Sequence, residues 1–128
     1  MEKLLVKIFI VYLALAIPHL VAAQQKLDIV QIMGQFVQAS YAASRCIEPD
    51  KKTLTSFLTN FKIVTVRAVE ELKKRNPRQS EQQVVNGLKQ RTKAVEKAID
   101  DVIHDNGCSD PRIQDLLKRF KLQANLKL

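Results

Sequence analysis

The chain of 128 residues contains two cysteines, Cys46 and Cys108, which allow a single intramolecular disulfide. They are 62 residues apart, and closing a loop of that length stabilises a fold by roughly 4 kcal/mol in the chain-entropy estimate. A redox-active or metal-bound pair usually has Cys-x-x-Cys spacing or further ligands, and neither is present. The pattern therefore predicts a structural disulfide in a protein that folds in an oxidising compartment.

Residues 1–23 are typical of a secretory signal peptide. A short basic start leads into an apolar run, Leu4 to Ile17, and the small residues up to Ala23 fit the small-x-small rule of signal peptidase. The alternative is an uncleaved membrane anchor, because the apolar run and its flank together approach the ~20 residues that span a bilayer. Lys7 and Pro18 interrupt the run, which favours cleavage after Ala23 and a secreted or periplasmic protein.

Residues 24–128 have the size of one domain, since cleavage would leave 105 of the 128 residues. Cleavage would also remove two lysines and one glutamate, so the formal net charge falls only from +8 to +7. Such a charge favours an anionic partner: an acidic protein, a phospholipid surface or a polyanionic glycan. It can equally serve solubility alone. Nucleic acid is disfavoured, because an exported chain rarely meets it and few aromatic side chains are available for base stacking.

Hydrophobic periodicity predicts four helices in residues 24–128. The first runs from Leu27 to Arg45 or Cys46, and residues 39–44 are rich in small side chains, which would let a neighbouring helix approach closely. The apolar face of the second consists of Leu54, Phe57, Leu58, Phe61, Val64, Ala68 and Leu72. Residues 63–66 are β-branched and could form a strand, but the i,i+4 charge pairs at residues 70–75 favour a helix.

Capping residues delimit these helices. Asp50 or Thr53 can cap the second helix, which ends at Asn76-Pro77. Ser80 and Gln83 have the spacing of a capping box at the start of the third.

The third helix ends at Asn106-Gly107. Its apolar stripe consists of Val84, Val85, Leu88, Val95, Ile99, Val102 and Ile103. The stripe is interrupted at Arg91 and Thr92, where one more apolar residue would be expected.

The fourth helix begins with Asp110 as its cap and Pro111 at its first position. Its inner face carries Ile113, Leu116, Leu117 and Phe120. The pattern fades after Lys121, so residues 123–128 are expected to fray. We predict an all-α, small four-helix bundle-like domain, with the disulfide tying the end of the first helix to the start of the fourth.

Catalytic and metal-binding patterns are sparse. His104 is the only histidine of residues 24–128, and Asp100 lies four residues before it on the same helix face. Two such groups do not make a metal site, so no metal and no cofactor are predicted. Three glycines are too few for a phosphate-binding loop, and no serine has the context of a nucleophile elbow. The chain is predicted not to be an enzyme.

Basic residues cluster on the third helix. Lys89, Lys93 and Lys97 are spaced by four and form one stripe, with Arg91 between them. We predict this stripe as the partner-binding surface for an anionic protein, while a solvated helix face is the simpler interpretation of the same pattern.

Three functional hypotheses follow. The first is an exported non-enzymatic helical protein that binds a protein partner in the periplasm or extracellular space, as an inhibitor, immunity protein, chaperone or envelope accessory subunit. The second is a carrier of a small apolar ligand or lipid, with residues 39–44, Phe57 and Phe61 lining a cavity. The third is a small enzyme that uses His104. A membrane surface stays open as a binding target, and the oligomeric state is not predicted.

Overall fold

The protein is described by a computed structural model covering residues 27–128, so the predicted signal peptide and its cleavage site lie outside the described residues. Four α-helices and no strand are present in this range: α1 Ile29–Cys46, α2 Lys51–Arg75, α3 Glu81–Asn106 and α4 Pro111–Ala124. The predicted all-α, four-helix class is confirmed, and the β-branched residues 63–66 are helical. No helix within residues 27–128 combines the length and the apolarity needed to cross a membrane.

Three of the four helices begin at polar caps that the sequence indicates, and α1 begins after a further cap, Asp28. The Asp50 carboxylate accepts a hydrogen bond from the backbone N–H of Thr53 over 2.9 Å, so Asp50 caps α2. The Ser80 hydroxyl accepts from the N–H of Gln83, and the Gln83 side chain accepts from the N–H of Ser80, which completes the capping box of α3. Asp110 accepts from the N–H of Arg112 at the start of α4. Each cap satisfies an N–H group that has no partner inside its helix.

The core is built mainly by α1, α2 and α4, through a cluster of phenylalanines. Phe36 of α1 lies 5.3 Å from Phe57 of α2 between ring centroids, and Phe57 lies 4.3 Å from Phe120 of α4. All three rings are almost completely buried. Small side chains of α1 pack in the same core, since Ala39, Ala42 and Ala43 are at most 1% exposed. Burial of this apolar surface is the main force that holds the three helices together.

Two cross-links fix the ends of the helices. The guanidinium of Arg75, at the end of α2, donates to both carboxylate oxygens of Asp28, just before α1, over 2.9 and 3.0 Å. This pairing shows that α1 and α2 run antiparallel. The predicted disulfide joins Cys46, the last residue of α1, to Cys108, which precedes α4, with a Cα–Cα distance of 5.8 Å. The pairing of Cys46 with Cys108 is therefore confirmed.

The end of α4 differs from the prediction. The helix continues to Ala124, and both Gln123 and Ala124 are buried. The reason lies on α2, where the buried amide of Asn60 donates to the carbonyls of Gln123 and Leu126, each over 2.9 Å. The expectation of fraying is wrong for Gln123 and Ala124, because Asn60, distant in sequence, holds the carbonyl groups on either side of Ala124.

Two residues of the predicted apolar face of α2 are exposed. Leu54 and Leu58 are 39% and 51% exposed, although their spacing is that of buried positions. Periodicity identifies a face of a helix but not whether a neighbouring helix covers it. The first turns of α2 therefore present an apolar surface to solvent.

Candidate functional site

Helix α3 is fully buried at only two positions. Of its 26 residues only Val84, near its start, and Ile99, toward its end, are buried. Between them, residues 85–98 are half-buried or exposed. The middle of α3 therefore packs against the core only through half-buried side chains such as Leu88 and Val95.

An apolar groove lies beneath this middle section, with a volume of about 410 Å³. Its floor is on α1, one wall is on α2, and the other wall and the rim are on α3. Its lining consists of Met33, Val37, Phe61, Thr65, Val69, Val85, Leu88, Lys89, Thr92, Lys93 and Glu96. We call this site the α3 groove. Its volume lies within the ~300–1,000 Å³ range that is common for ligand pockets.

The groove exists because short polar side chains occupy positions where larger apolar ones would fill the core. Thr92 lies at the interruption that the sequence shows in the apolar stripe of α3, and it lines the groove together with Thr65 and Phe61 of α2. A leucine at Thr92 would extend into this space. The interruption was the one sequence signal of the groove, but it does not reveal which residues of α1 and α2 form the other sides.

The groove continues toward the end of α1 as a smaller depression of about 160 Å³. Beyond it, the hydroxyl of Tyr41 donates to a carboxylate oxygen of Asp100 over 2.7 Å. Asp100 also forms an ion pair with Arg45 over 3.3 Å. Hydrogen bonding to Asp100 raises the pKa of Tyr41, because the carboxylate disfavours a second negative charge. This polar cluster joins α1 to α3 at that end of the groove.

The predicted basic stripe is divided by the structure. Lys89 and Lys93 lie at the rim of the α3 groove. Lys97 instead pairs with Asp101 over 3.0 Å. Arg91 lines a separate, more polar depression beside the joint between α2 and α3. None of the ion pairs within residues 27–128 involves Lys89 or Lys93, so these two ammonium groups are available to a ligand.

His104 lies apart from the groove. Its side chain is 89% exposed and contacts the carboxylate of the adjacent Asp105 over 3.2 Å. Asp100, its predicted neighbour on the helix face, is engaged by Tyr41 and Arg45. Within the described residues no group of three or more metal-ligating side chains comes together.

A further cavity of about 500 Å³ lies at the loop between α1 and α2. Its lining mixes polar and apolar groups, including Pro49, Asp50, Phe120 and Lys121. The Asp50 carboxylate is already used as the helix cap, and hydrogen bonds from Thr53 lower its pKa. This cavity therefore differs from the α3 groove in its mixed lining and in the prior use of its Asp50 carboxylate.

The residues considered for an apolar-ligand cavity separate into two groups. Phe57 and the alanines of α1 are buried in the core, whereas Phe61 lines the α3 groove. The groove thus shares Phe61 with the predicted carrier site, and Ser40, Tyr41 and Ser44 of that site line the smaller depression beside it. Neither a family model, nor a curated protein, nor a solved structure matches this chain.

Proposed function

We propose that this chain is an exported, non-enzymatic binding protein, secreted or periplasmic, and that it binds a protein partner in the α3 groove. The disulfide between Cys46 and Cys108 supports an oxidising location, because such bonds persist outside the cytosol. The signal-like residues 1–23 support export on sequence grounds alone.

The observation that carries the proposal is the contrast between the groove and its rim. The groove is lined largely by apolar side chains that the domain leaves half-exposed, such as Val69, Val85 and Leu88. Apolar surface that stays in water adds nothing to the stability of the fold, and a partner that covers it gains free energy by removing it from water. Lys89 and Lys93 beside this surface add attraction for an acidic partner and restrict how it can dock.

Binding also fits the polar groups of the groove better than catalysis does. Thr65, Thr92 and Glu96 line it, and none of them takes part in a side-chain hydrogen bond to another of the three. A general base normally contacts the group that it activates or orients. His104, the alternative base, is exposed at the far end of α3.

The test uses a photo-crosslinking amino acid at Val85, which lines the groove, and at Ala98, which is exposed on α3 outside it. In the native secretion or envelope fraction, the Val85 probe should crosslink a protein that the Ala98 probe does not. The substitution Thr92→Leu, which fills the groove, should abolish this crosslink. The matched substitution Ala94→Leu adds an apolar side chain at an exposed position and should preserve it.

Stability distinguishes blocking from misfolding. Thr92→Leu buries additional apolar surface and should raise the free energy of unfolding by about 1 kcal/mol. The proposal is contradicted if a folded Thr92→Leu protein crosslinks the same partner as the wild type. Acyl chains that co-purify in equal molar amount with the wild type, but not with Thr92→Leu, would establish the carrier function instead.

A further inference from the structure

The α3 groove is open along its length, which limits the kinds of ligand that it suits. The side chains of Phe61, Val85 and Leu88 in its walls are only half-buried. A purely apolar ligand lying there would keep one side in water. An amphipathic helix would cover the apolar walls with one face and present its own polar face to solvent.

The apolar wall on α2 is longer than the groove itself. Leu54 and Leu58 precede Phe61, Thr65 and Val69 in steps of three or four residues, so all five lie on one face of the helix. The strip extends over about 22 Å at the rise of ~1.5 Å per residue. This length corresponds to about four turns of a helix lying alongside α2.

The rim on α3 supplies a pattern of charge. Lys89 and Lys93 are one helical turn apart, and both are exposed. Two acidic residues spaced by four on a docked helix present their carboxylates at a matching separation. Glu96, nearer the Tyr41 end of the groove, would repel an acidic group there. The charges therefore favour one placement of the acidic pair along the groove.

We infer that the segment bound in the α3 groove is an amphipathic helix of the partner, with its apolar face against the groove and an acidic pair one turn apart against Lys89 and Lys93. The inference rests on the proposed function and specifies its ligand. Both lysines can contact such a pair, because neither forms an ion pair within residues 27–128, whereas Lys97 is paired with Asp101.

The experiment uses two synthetic peptides that form helices with the same leucine strip. The first carries two glutamates spaced by four along one edge of that strip, and the second carries lysines at those positions. Binding to the purified protein is measured by fluorescence anisotropy. Its location is mapped by amide chemical shifts, which should change at Val69 and Val85.

The glutamate peptide should bind the wild type and bind the Lys89→Glu, Lys93→Glu double variant at least about tenfold more weakly. The lysine peptide should show the opposite preference. The control Lys118→Glu, Lys127→Glu changes the net charge equally, at exposed positions of α4 and the C-terminal tail, and should leave the affinity for the glutamate peptide within about twofold.

Equal binding of both peptides in the groove would overturn the inference but leave the groove as the partner site. Binding of dodecanoate at the same residues, with no binding of either peptide, would overturn it in favour of an anionic lipid. Failure of the proposed function would give a different result: the crosslink formed at Val85 would be unchanged in the Thr92→Leu variant.

Discussion

The hydroxyl of Tyr41 on α1 donates a hydrogen bond over 2.7 Å to the carboxylate of Asp100 on α3. Arg45, one turn further along α1, pairs with the same carboxylate over 3.3 Å. The disulfide lies beside these contacts in sequence. Cys46 directly follows Arg45, and Cys108 lies two residues after the end of α3. These contacts fix the C-terminal part of α3 to α1, so the groove ends where they begin.

The Tyr41 hydrogen bond should make the free energy of unfolding decrease at alkaline pH. Asp100 raises the pKa of Tyr41 above its ordinary value of 10.0. The stability contributed by this hydrogen bond is therefore complete below pH 10 and is lost as the pH rises through the pKa of Tyr41 in the folded protein. The chain has two tyrosines, and the other, Tyr12, lies in the predicted signal, so the absorbance of tyrosinate in the cleaved protein reports Tyr41 alone. Native protein should ionise at higher pH than denatured protein, and coincident titrations would contradict the prediction.

Asp110 should contribute to the loss of stability of the fold at acidic pH. Hydrogen bonds from Arg112, first from its side chain and then from its backbone, lower the pKa of Asp110 to about 2. The contribution to stability is therefore present above the ordinary pKa of 3.8 and is lost as pH falls toward about 2. Asp110→Asn keeps a cap acceptor but removes the titrating group, so its free energy of unfolding should fall less steeply with acid.

Denaturant unfolding of the wild type and Asp110→Asn at several pH values measures this difference. Asp28 and Asp50 also have lowered pKa values, through Arg75 and Thr53 respectively, so the variant should retain a smaller acid dependence. Parallel pH profiles for the two proteins would show that Asp110 does not contribute.

The disulfide should supply a large part of the stability. Replacing both Cys46 and Cys108 with serine removes the constraint on a loop of 62 residues, and we expect the free energy of unfolding to fall by about 4 kcal/mol. Chemical denaturation monitored by helical circular dichroism measures the change, and reduced wild-type protein provides the comparison. A double variant as stable as the oxidised wild type would exclude a stabilising role.

Gly107 and Gly87 should respond oppositely to alanine. Gly107 has φ 76° and ψ 178°, a conformation that side chains with a Cβ rarely adopt, so Gly107→Ala should destabilise the fold by about 1–3 kcal/mol. Gly87 lies within α3, and no neighbouring helix or side chain of residues 27–128 comes within 4 Å of the place that a Cβ would occupy. Gly87→Ala should therefore stabilise the fold by up to about 1 kcal/mol. Thermal unfolding of both variants tests the prediction, which fails if the two changes have the same sign.

Local sequence signals predict the helices well because they act over a few residues. Ser80 with Gln83 and Asp110 with Pro111 mark helix starts through bonds that close within one turn. Local signals failed at Gln123, where the decisive hydrogen bond comes from Asn60, 63 residues earlier in the chain. They also placed Leu58 on an inner face, because periodicity carries no information about which neighbour covers a helix.

The candidate site was predicted only in part. The lysine stripe is visible in the sequence because residues spaced by four share a helix face. The pairing of Lys97 with Asp101 and the separate face of Arg91 also follow from helical spacing, whereas the groove beside Lys89 and Lys93 depends on how α3 lies against α1 and α2. The assignment of this surface to a partner stays a prediction, which crosslinking at Val85 tests.

The sequence by itself determined the helical class, the helix caps and the single possible disulfide, since each depends on residue chemistry over short range or on a count of two cysteines. Only the tertiary structure decided that α3 is buried at Val84 and Ile99 and leaves a groove between them. The physical reason is that a groove is a packing defect shared by three helices. No one helix specifies it, because the space above Met33 depends on what Phe61 and Thr92 leave unfilled.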